Sequence, residues 1–251
     1  MSSDPPPVML VTGACGGIGR CLCGNFIGKG FRVIGLDKAD NPPPQVDFYR
    51  CDISEEAQVT QTLKTIWEKY DCLDILVNVA GIVAKNGTHA VADLPYEEWS
   101  SVLRVNLDGT FLVTRAAIPL IKKSSGARAI LSISSEQVVY PATGSAPYVI
   151  SKAGVEMLTK VLSVELLGER IRVNALALAS VRNNFIGKLV GDPARLARMS
   201  EMRNREMPFG ILEVNDVFHA VEFLIRDDTK ITGQVIVIDS GYTLNDKRRL
   251  K

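Results

Sequence analysis

The chain has 251 residues, of which 46% are hydrophobic and 23% charged, and its formal net charge at pH 7 is +1. That near balance creates no field that favours nucleic acid or an anionic membrane, so we expect neither as a partner. The mean hydropathy of +0.11 is typical of an ordinary soluble globular protein. An α/β fold of this length commonly forms one domain, so we expect residues 1–251 to be a single unit with a flexible tail over 1–7.

Cysteine and histidine usage argues against metal sites and disulfides. The five cysteines lie at 15, 21, 23, 51 and 72, an odd number without a C-x-x-C pair, so they predict neither a disulfide framework nor a zinc site. Two scattered histidines are too few for a metal cluster. Residues 1–7 contain no basic segment of a secretory signal, and we therefore expect a cytoplasmic protein.

The first predicted element is a short strand over 8–11 that runs into a glycine-rich turn, T-G-A-C-G-G-I-G, and then a helix to about Lys29. Such a turn lets the backbone approach a pyrophosphate, and the helix N-terminus offers free amide groups. Glycines also serve tight packing, which is the alternative. The predicted cofactor contacts in this turn are Gly13, Cys15, Gly16, Gly17, Ile18 and Gly19.

A second apolar strand, over 31–36, ends in Asp37, eighteen residues after Gly19. A carboxylate at this position accepts hydrogen bonds from the adenosine ribose hydroxyls and repels a 2′-phosphate, which favours NAD over NADP. Lys38 weakens that preference. The alternative is that Asp37 only begins the polar loop that reaches Pro44.

The third strand is predicted over 46–51 and is followed by Asp52 and Ile53, both candidates for the adenine end of the cofactor. Asp52 could accept a hydrogen bond from the adenine amino group, or it could join Ser54 in capping the next helix. That helix is predicted from apolar residues at helical spacing, from Val59 to Tyr70.

A nearly continuous apolar strand over 73–77, as expected in a parallel sheet, leads into Asn78-Val79-Ala80-Gly81. Small residues let a strand end pass close to a cofactor, so Asn78, Ala80 and Gly81 are cofactor candidates; the alternative is the start of a loop. The loop that follows contains Lys85, Asn86 and His89 and is expected to border the substrate.

The next helical pattern begins at Pro95 and is interrupted near 106–109. Asn106 is a poor residue inside a helix because its side chain competes for backbone hydrogen bonds. Either a bent helix with a bound water or a helix end capped by Asn106 explains the pattern. A fifth strand over 127–133 follows, with Ser134 and Ser135 expected just past its end.

Two residues of the next helix, predicted over 147–167 with Gly168 just past its end, suggest proton chemistry. Tyr148 and Lys152 are four residues apart and share one helix face. Lowering a tyrosine pKa from about 10 to about 7 requires roughly 4 kcal/mol, and an ammonium about 4 Å away supplies a Coulomb energy of that order at an effective dielectric of about 20. Ser135 would then hold a substrate oxygen. Taken alone, the Tyr–Lys pair is also a common surface pattern.

The same helix has one narrow polar stripe, which implies burial on more than one side, against the sheet and against a second subunit. The sixth and seventh strands are predicted over 171–176 and 233–238. Between them, residues 177–210 are predicted to be a substrate-lid insertion with interleaved methionines, at Met199, Met202 and Met207. Ordinary solvated helix faces explain its charges equally well.

Taken in order, these motifs resemble those of the short-chain dehydrogenase/reductase family, over residues 8 to about 244. The family's T-G-x-x-x-G-I-G matches residues 12–19 and its N-x-A-G matches 78–81. Its catalytic residues fall on Asn106, Ser135, Tyr148 and Lys152. The resemblance implies one doubly wound, Rossmann-type α/β domain with seven parallel strands flanked by helices, assembled as a homo-oligomer, either a dimer or a homotetramer.

The resemblance also implies hydride transfer between NAD(H) and a small or medium secondary alcohol or ketone. Tyr148 would be the acid/base, Ser135 would hold the substrate oxygen, and Asn106 would hold a water. Lys152 would lower the tyrosine pKa and bind the nicotinamide ribose. Val181 would offer backbone groups to the carboxamide.

This sequence departs from the family pattern in three places. Leu178-Ala179 and Asn183 stand where the family often has Pro-Gly and a Thr, Val79 replaces a frequent second Asn, and Asp239-Ser240-Gly241 replaces a frequent Asp-Gly-Gly. Two other functions are compatible with the motifs: a dinucleotide-binding regulator without turnover, and a sugar-nucleotide epimerase or dehydratase, whose G-x-x-G-x-x-G pattern also fits Gly13, Gly16 and Gly19.

Overall fold

The computed structural model describes residues 5–84, 89–183 and 193–244. Its centre is a parallel sheet of seven strands in the order β3-β2-β1-β4-β5-β6-β7. The strands are β1 (Val8–Thr12), β2 (Arg32–Asp37), β3 (Asp47–Arg50), β4 (Ile75–Asn78), β5 (Ala129–Ser135), β6 (Arg172–Leu178) and β7 (Val235–Ile238).

Helices cover both faces of this sheet. They are α1 (Gly17–Gly28), α2 (Glu56–Lys69), α3 (Tyr96–Leu103), α4 (Gly109–Lys123), α5 (Ala146–Glu165), α6 (Pro193–Glu206) and α7 (Val214–Ile225). Two apolar clusters fill the layers: one includes Phe26 of α1 and Val221 of α7, and the other includes Leu63 of α2 and Val113 of α4. Strand residues such as Leu10 are fully buried because both faces are covered. The predicted doubly wound α/β fold is confirmed.

The strand order reverses beside β1, whose neighbours are β2 and β4. In doubly wound sheets, ligands bind at the carboxyl ends of the strands, next to such a reversal. The glycine turn after β1, residues 78–81 after β4 and the serines that end β5 all lie at this edge. The topology therefore brings together motifs that are far apart in the sequence.

Several predicted boundaries were wrong by a few residues. Ser134 and Ser135 belong to β5, where they pair with Ala177 and Leu178 of β6, instead of following the strand. Ser54 is not the N-cap of α2, because that position is Glu55. The Ser54 hydroxyl and amide both donate to Oδ1 of Asp52, at 2.7 and 3.1 Å, which forms a turn one residue earlier.

The end of α5 also differs from the prediction. The helix ends at Glu165, and the left-handed backbone conformation falls on Arg170, with φ 56°, not on Gly168. A Cβ added at Gly168 would meet no atom within 4 Å, so no steric contact requires glycine there. The turn is closed by backbone bonds, including Arg170 N–H to Leu167 O at 3.0 Å.

The interruption predicted at Asn106 is a π-helical turn, Arg104–Asp108, between α3 and α4. One extra residue in the turn places Asn106 in the interior, where it is fully buried. This agrees with the bent-helix alternative, because the helical path continues through the turn into α4.

Part of the polar stripe of α5 faces inward, although Lys160 of the same stripe is exposed. Lys152, Thr159 and Ser163 are buried, whereas Met157 and Val164 are 58% and 75% exposed. The polar groups are satisfied locally; the Thr159 hydroxyl donates to Val155 O at 2.9 Å, for example. The helix thus presents an apolar face outward.

The predicted insertion over 177–210 is only partly described. Its first two residues belong to β6, and α6 lies near its end, while Lys188 and Asp192 lie outside the described residues. Met207 packs in the apolar core at 1% exposure, so it does not serve an adaptable outer surface. In the described part of the chain, no helix has the length and apolarity needed to cross a bilayer.

Candidate active site

The catalytic candidates converge at the carboxyl ends of β4 and β5. Lys152 is buried, and its Nζ donates to the Ile133 carbonyl of β5 at 2.7 Å. The same Nζ lies 5.8 Å from the centroid of the Tyr148 ring. A Cβ added at Gly81 would lie 3.4 Å from both Lys152 Nζ and Asn106 Oδ1. The absence of a side chain at Gly81 therefore keeps the space beside the amine open.

Asn106 ties the loop after β4 to the helices. Its Oδ1 accepts from the Ile82 amide at 2.7 Å, and its Nδ2 donates to the Ile82 carbonyl at 2.9 Å and to Ser151 Oγ at 3.0 Å. These bonds fix Gly81 and Ile82 beside α5. The role of Asn106 in holding a water stays a prediction.

Burial dominates the electrostatics of the tyrosine and the lysine. Burial raises the pKa of Tyr148 to about 12, with the Ser135 hydroxyl acting in the opposite direction and Glu136 adding to the rise. Burial also lowers the pKa of Lys152 to about 8, so the amine stays mostly protonated at neutral pH. The sequence predicted a lowered tyrosine pKa, and in the described chain the shift has the opposite sign. The Lys152 ammonium donates to the Ile133 carbonyl, and desolvation of the phenol is the largest cause of the shift in the Tyr148 pKa.

Ser135 lies at the end of β5 with a hydroxyl that is already hydrogen-bonded. Its Oγ donates to Oε2 of Glu136 at 2.9 Å and accepts from the Gln137 amide at 3.2 Å. The neighbouring Ser134 points toward α5, where its Oγ donates to Glu156 Oε1 at 2.7 Å. Of the two serines, only Ser135 acts on the pKa of Tyr148.

The glycine turn fits a dinucleotide phosphate. Gly13 has φ 68°, and a Cβ there would lie 2.9 Å from the backbone of Ala80, so the turn passes very close to the end of β4. The N-cap of α1 is Gly16, which has no side chain to occupy the first amides of the helix. Those amides and the helix dipole make an anion-binding end. Of the other turn residues, Ile18 packs against the core and Cys15 Sγ is 3.6 Å from Ala39 O.

Asp37 lies beside that turn, as its spacing predicted. Its Oδ2 accepts from the Cys15 amide at 2.9 Å and its Oδ1 accepts from the Ala39 amide at 2.9 Å. Asp52 is held by Ser54, and its Oδ2 lies 3.9 Å from the Lys38 ammonium. Ile53 is buried, and its side chain would lie 2.8 Å from a Cβ added at Gly109 of α4. The structure therefore places the Asp37 carboxylate, but not the Ile53 side chain, at the glycine turn.

Asn78 and Val181, two predicted cofactor contacts, lie at the end of β4 and after β6. The Asn78 side chain is buried between β5 and α4, where Nδ2 donates to Thr114 Oγ1 at 3.0 Å and to Ser132 Oγ at 3.4 Å. Val181 forms a parallel bridge with Leu212 that uses the Ser180 carbonyl and the Arg182 amide. The amide and carbonyl of Val181 itself consequently face away from Leu212.

Sequence reasoning gave no site role to Thr12, Ser151 or Glu136, and it named Asn183 only as a departure from the family pattern. Thr12 Oγ1 accepts from the amides of Val79 and Ala80, at 3.0 and 3.1 Å, which joins the ends of β1 and β4. Asn183 lies over the turn, 2.8 Å from a Cβ built at Gly17. Ser151 holds Asn106, and Glu136 holds Ser135. For Glu136 a sequence signal existed, because it is a carboxylate directly after a buried apolar strand.

Other expected features have mixed outcomes. Lys85 and Asn86 lie outside the described residues. His89 is described, and its Nε2 is buried with no hydrogen-bond partner in the part of the chain that the structure covers.

Ser240 adopts φ 52°, the left-handed region that the glycine of a frequent Asp-Gly-Gly would occupy without strain. Within the described ranges no cluster of histidine, cysteine and carboxylate side chains suits a metal ion.

Comparison with known proteins identifies this arrangement. The family model described as enoyl-(acyl carrier protein) reductase matches residues 13–243. A 3-oxoacyl-[acyl-carrier-protein] reductase of Thermotoga maritima is 33% identical, over 94% of this chain and 98% of its own length.

Solved structures give the same result. Ligand-free aldohexose dehydrogenase of Thermoplasma acidophilum is 30% identical with a TM-score of 0.90 and covers 96% of each chain. A 3-oxoacyl-[acyl-carrier protein] reductase of Brucella melitensis in complex with NAD is 26% identical, with a TM-score of 0.87 over 97% of this chain and 100% of that one. ElxO with NADP bound is 25% identical, with a TM-score of 0.85 over 96% and 100%. With this match over nearly its whole length, the chain belongs to the short-chain dehydrogenase/reductase family and is an oxidoreductase.

Proposed function

We propose that this protein transfers a hydride between NAD(H) and a small or medium secondary alcohol or ketone, with Tyr148 as the acid/base. The observation that carries the proposal is the buried Lys152 ammonium, held by Ile133 O at 2.7 Å beside the Tyr148 ring and the bare backbone of Gly81. Burying a lysine ammonium is unfavourable, so a buried lysine often marks a functional site. A cation next to a phenol stabilises the phenolate that alcohol oxidation requires.

The chain's own residues divide the proton chemistry as follows. The Tyr148 hydroxyl donates its proton to the substrate oxygen during carbonyl reduction and accepts a proton during alcohol oxidation. The Lys152 ammonium stabilises the tyrosinate, and the Ser135 hydroxyl holds the substrate oxygen. When bound, a nicotinamide dinucleotide supplies or accepts the hydride. Residues that would hold it are the glycine turn, Asp37, the 78–81 segment, Lys152 and the Val181 backbone.

The preference for NAD rests on Asp37. Both of its oxygens are oriented by backbone amides of the glycine turn and of the following loop, so the carboxylate is fixed where adenosine ribose hydroxyls would bind. The Lys38 ammonium lies 3.9 Å from Asp52. Arg20 donates to the Cys15 carbonyl at 3.0 Å and to the Asn41 carbonyl, and Arg50 donates to the Lys38 carbonyl at 3.2 Å. These three cations are therefore engaged with other groups.

The relatives support a ketone or a secondary alcohol as the reacting group. The Thermotoga maritima and Brucella melitensis proteins are named as 3-oxoacyl reductases and the Thermoplasma acidophilum protein as an aldohexose dehydrogenase. The names of the two reductases specify an oxo group, and the name of the third specifies dehydrogenation of a sugar. We place this protein in the same reaction class and in the cytoplasm.

The test is a screen of alcohols and ketones, with NADH absorbance followed in both directions and NADP(H) run in parallel. We expect turnover of at least one secondary alcohol or ketone with NAD(H) preferred. Tight NADH binding without turnover on a broad panel would contradict the proposal and favour a regulator. Bound NAD that never exchanges, with no net redox change, would favour an epimerase.

A further inference from the structure

The Ser135 hydroxyl has two competing acceptors. A serine hydroxyl carries one proton and two lone pairs. In this structure the hydroxyl donates its hydrogen bond to Glu136 Oε2 at 2.9 Å, and one lone pair accepts from the Gln137 amide at 3.2 Å. Ser135 also lies close enough to Tyr148 to lower its pKa by donating to the phenolate. One proton cannot serve both acceptors at once.

Glu136 is well placed to win this competition. The residue is 3% exposed, on the one-turn 3-10 helix Glu136–Val138 directly after β5. Burial raises the pKa of its carboxyl, while the Ser135 hydroxyl, the Arg203 guanidinium and the amides of residues 136 and 137 act in the opposite direction. Charge-assisted hydrogen bonds are roughly twice as strong as neutral ones, so an ionised Glu136 outcompetes a neutral carbonyl oxygen of a substrate.

The charged and titratable groups around Glu136 come from two helices. From α5 they are Tyr148 and, beyond its ring, Lys152. From α6 the group is Arg203, whose guanidinium also lies 4.8 Å from the centroid of the Tyr242 ring and 3.5 Å from Glu206. The strand β6 contributes the apolar residues Ala177 and Leu178 beside β5.

We propose that Glu136 is a positioning residue of the reaction. Its carboxylate accepts the one hydrogen bond that Ser135 can donate, so that this bond is not available to the tyrosinate or to the substrate oxygen. The site is thereby biased toward protonated Tyr148 and carbonyl reduction. The consequence for turnover rests on the proposed function. The overall equilibrium is unchanged, because a catalyst cannot alter it, but the pH range in which alcohol oxidation proceeds moves upward.

The test is the variant Glu136→Gln, which keeps the shape of the side chain and can donate an amide hydrogen to Ser135. Tyrosinate ultraviolet absorbance is titrated against pH, and the signal of Tyr148 is isolated by subtracting the same titration of the variant with Tyr148→Phe added. We expect the inflection of Tyr148 to fall by about one pH unit or more, the order of shift that a hydrogen bond to the charged form of a group produces. At neutral pH, alcohol oxidation should rise by about tenfold, since one pH unit is a tenfold change in tyrosinate.

Glu156→Gln is the matched control, because Glu156 accepts the same kind of bond from the neighbouring Ser134. It removes an equal charge one turn from Lys152 and should leave the inflection in place. A second comparison adds Ser135→Ala to both proteins. If the coupling passes through Ser135, the shift caused by Glu136→Gln should then shrink to less than half.

An unchanged inflection in folded Glu136→Gln, an equal shift in Glu156→Gln, or a full shift without Ser135 would each overturn the inference. Should Glu136→Gln fail to fold, Glu136→Ala is expected to produce the same shift and serves as the test. A protein that turns over no substrate would count against the proposed function. The absorbance titration needs no turnover, so it would still decide the inference about Glu136.

Discussion

At the scale of single residues, the site depends on buried polar groups with few and specific partners. Lys152 is held by one carbonyl, Asn106 by the backbone of Ile82 and by Ser151, and Ser135 by Glu136 and the Gln137 amide. Buried polar groups that lose a partner cost about 1–3 kcal/mol each, so these contacts fix the side chains in position. Such positioning keeps the space beside Gly81 free for a reacting group.

Asp37 gives a prediction about cofactor choice at the same scale. Asp37→Asn keeps an oxygen for one of the two backbone amides but removes the negative charge, which weakens hydrogen bonds from ribose hydroxyls and ends the repulsion of a 2′-phosphate. We expect the ratio of NAD to NADP affinity to fall by about tenfold, the difference between a charged and a neutral acceptor. Isothermal titration with both cofactors measures it.

Asp40→Asn is the control for that experiment, since Asp40 is an exposed carboxylate three residues further on. It should leave the ratio unchanged. An unchanged ratio in Asp37→Asn as well would remove the basis for the NAD assignment.

The sequence predicted best the backbone positions of candidate residues. Gly13, Asp37, Tyr148 and Lys152 lie on the turn, strand end and helix that their spacing predicted, because strand ends and helix turns have fixed geometry, and their roles stay predictions. The sign of the Tyr148 pKa shift was wrong, since it depends on burial by residues distant in sequence. Glu136 was missed for the same reason: its partner Ser135 is adjacent, but its burial comes from the fold.

At the scale of elements, the C-terminal end of α7 is held by an arginine of the strand β6. The Arg172 guanidinium of β6 donates to the carbonyls of Leu224 and Ile225 at the end of α7, and to Thr229 Oγ1 at 2.6 Å. The last carbonyls of a helix have no partner within it and carry a partial negative charge, so a cation there is favourable. This contact fixes α7 against the sheet.

The contact predicts a loss of stability in Arg172→Met, which keeps a long apolar chain but removes every donor. Leaving the carbonyls at the end of α7 unpaired should destabilise the protein by about 2–3 kcal/mol. For a chain of this size that corresponds to a fall in Tm of roughly 4–12 °C. Calorimetry measures it, with Arg170→Met, an exposed arginine two residues away, as a control. Equal Tm values for the two variants would refute this account of the helix end.

Element boundaries were predicted to within about three residues, and the errors have local causes. The Ser54 prediction failed because Asp52 attracts its hydroxyl, and the Gly168 prediction failed because backbone bonds close the turn through Arg170. The element types were correct because continuous apolar runs and 3.6-residue periodicity reflect burial directly.

At the scale of the whole molecule, α5 exposes an apolar face. Its exposed apolar residues recur at helical spacing and are Ile150, Met157, Val161 and Val164, and Lys160 is exposed among them. Contiguous exposed apolar surface usually marks an interface between proteins. We propose that this face meets a second copy of the chain in a homo-oligomer, a dimer or a tetramer. The sequence showed how narrow the polar stripe is, but not that Lys152, Thr159 and Ser163 of that stripe point inward.

Val164→Glu tests that proposal. A carboxylate in the centre of an apolar interface must be desolvated without a partner, so we expect the assembly to dissociate and the mass measured by light scattering to fall toward one subunit. Val91→Glu changes an equally exposed valine, at 73%, away from α5 and should leave the mass unchanged. A monomeric unmodified protein, or a Val164→Glu variant of unaltered mass, would contradict the assembly.

The most direct measurement of the central claim is Tyr148→Phe, assayed for both turnover and NADH binding. The substitution removes only the hydroxyl that exchanges the proton, while Lys152, Ser135 and the glycine turn remain. We predict that turnover falls by at least about a hundredfold, the usual contribution of a general acid–base group, and that NADH affinity changes by no more than a few fold. Turnover that survives the substitution, or a parallel loss of NADH binding, would show that the tyrosine is not the acid/base of this enzyme.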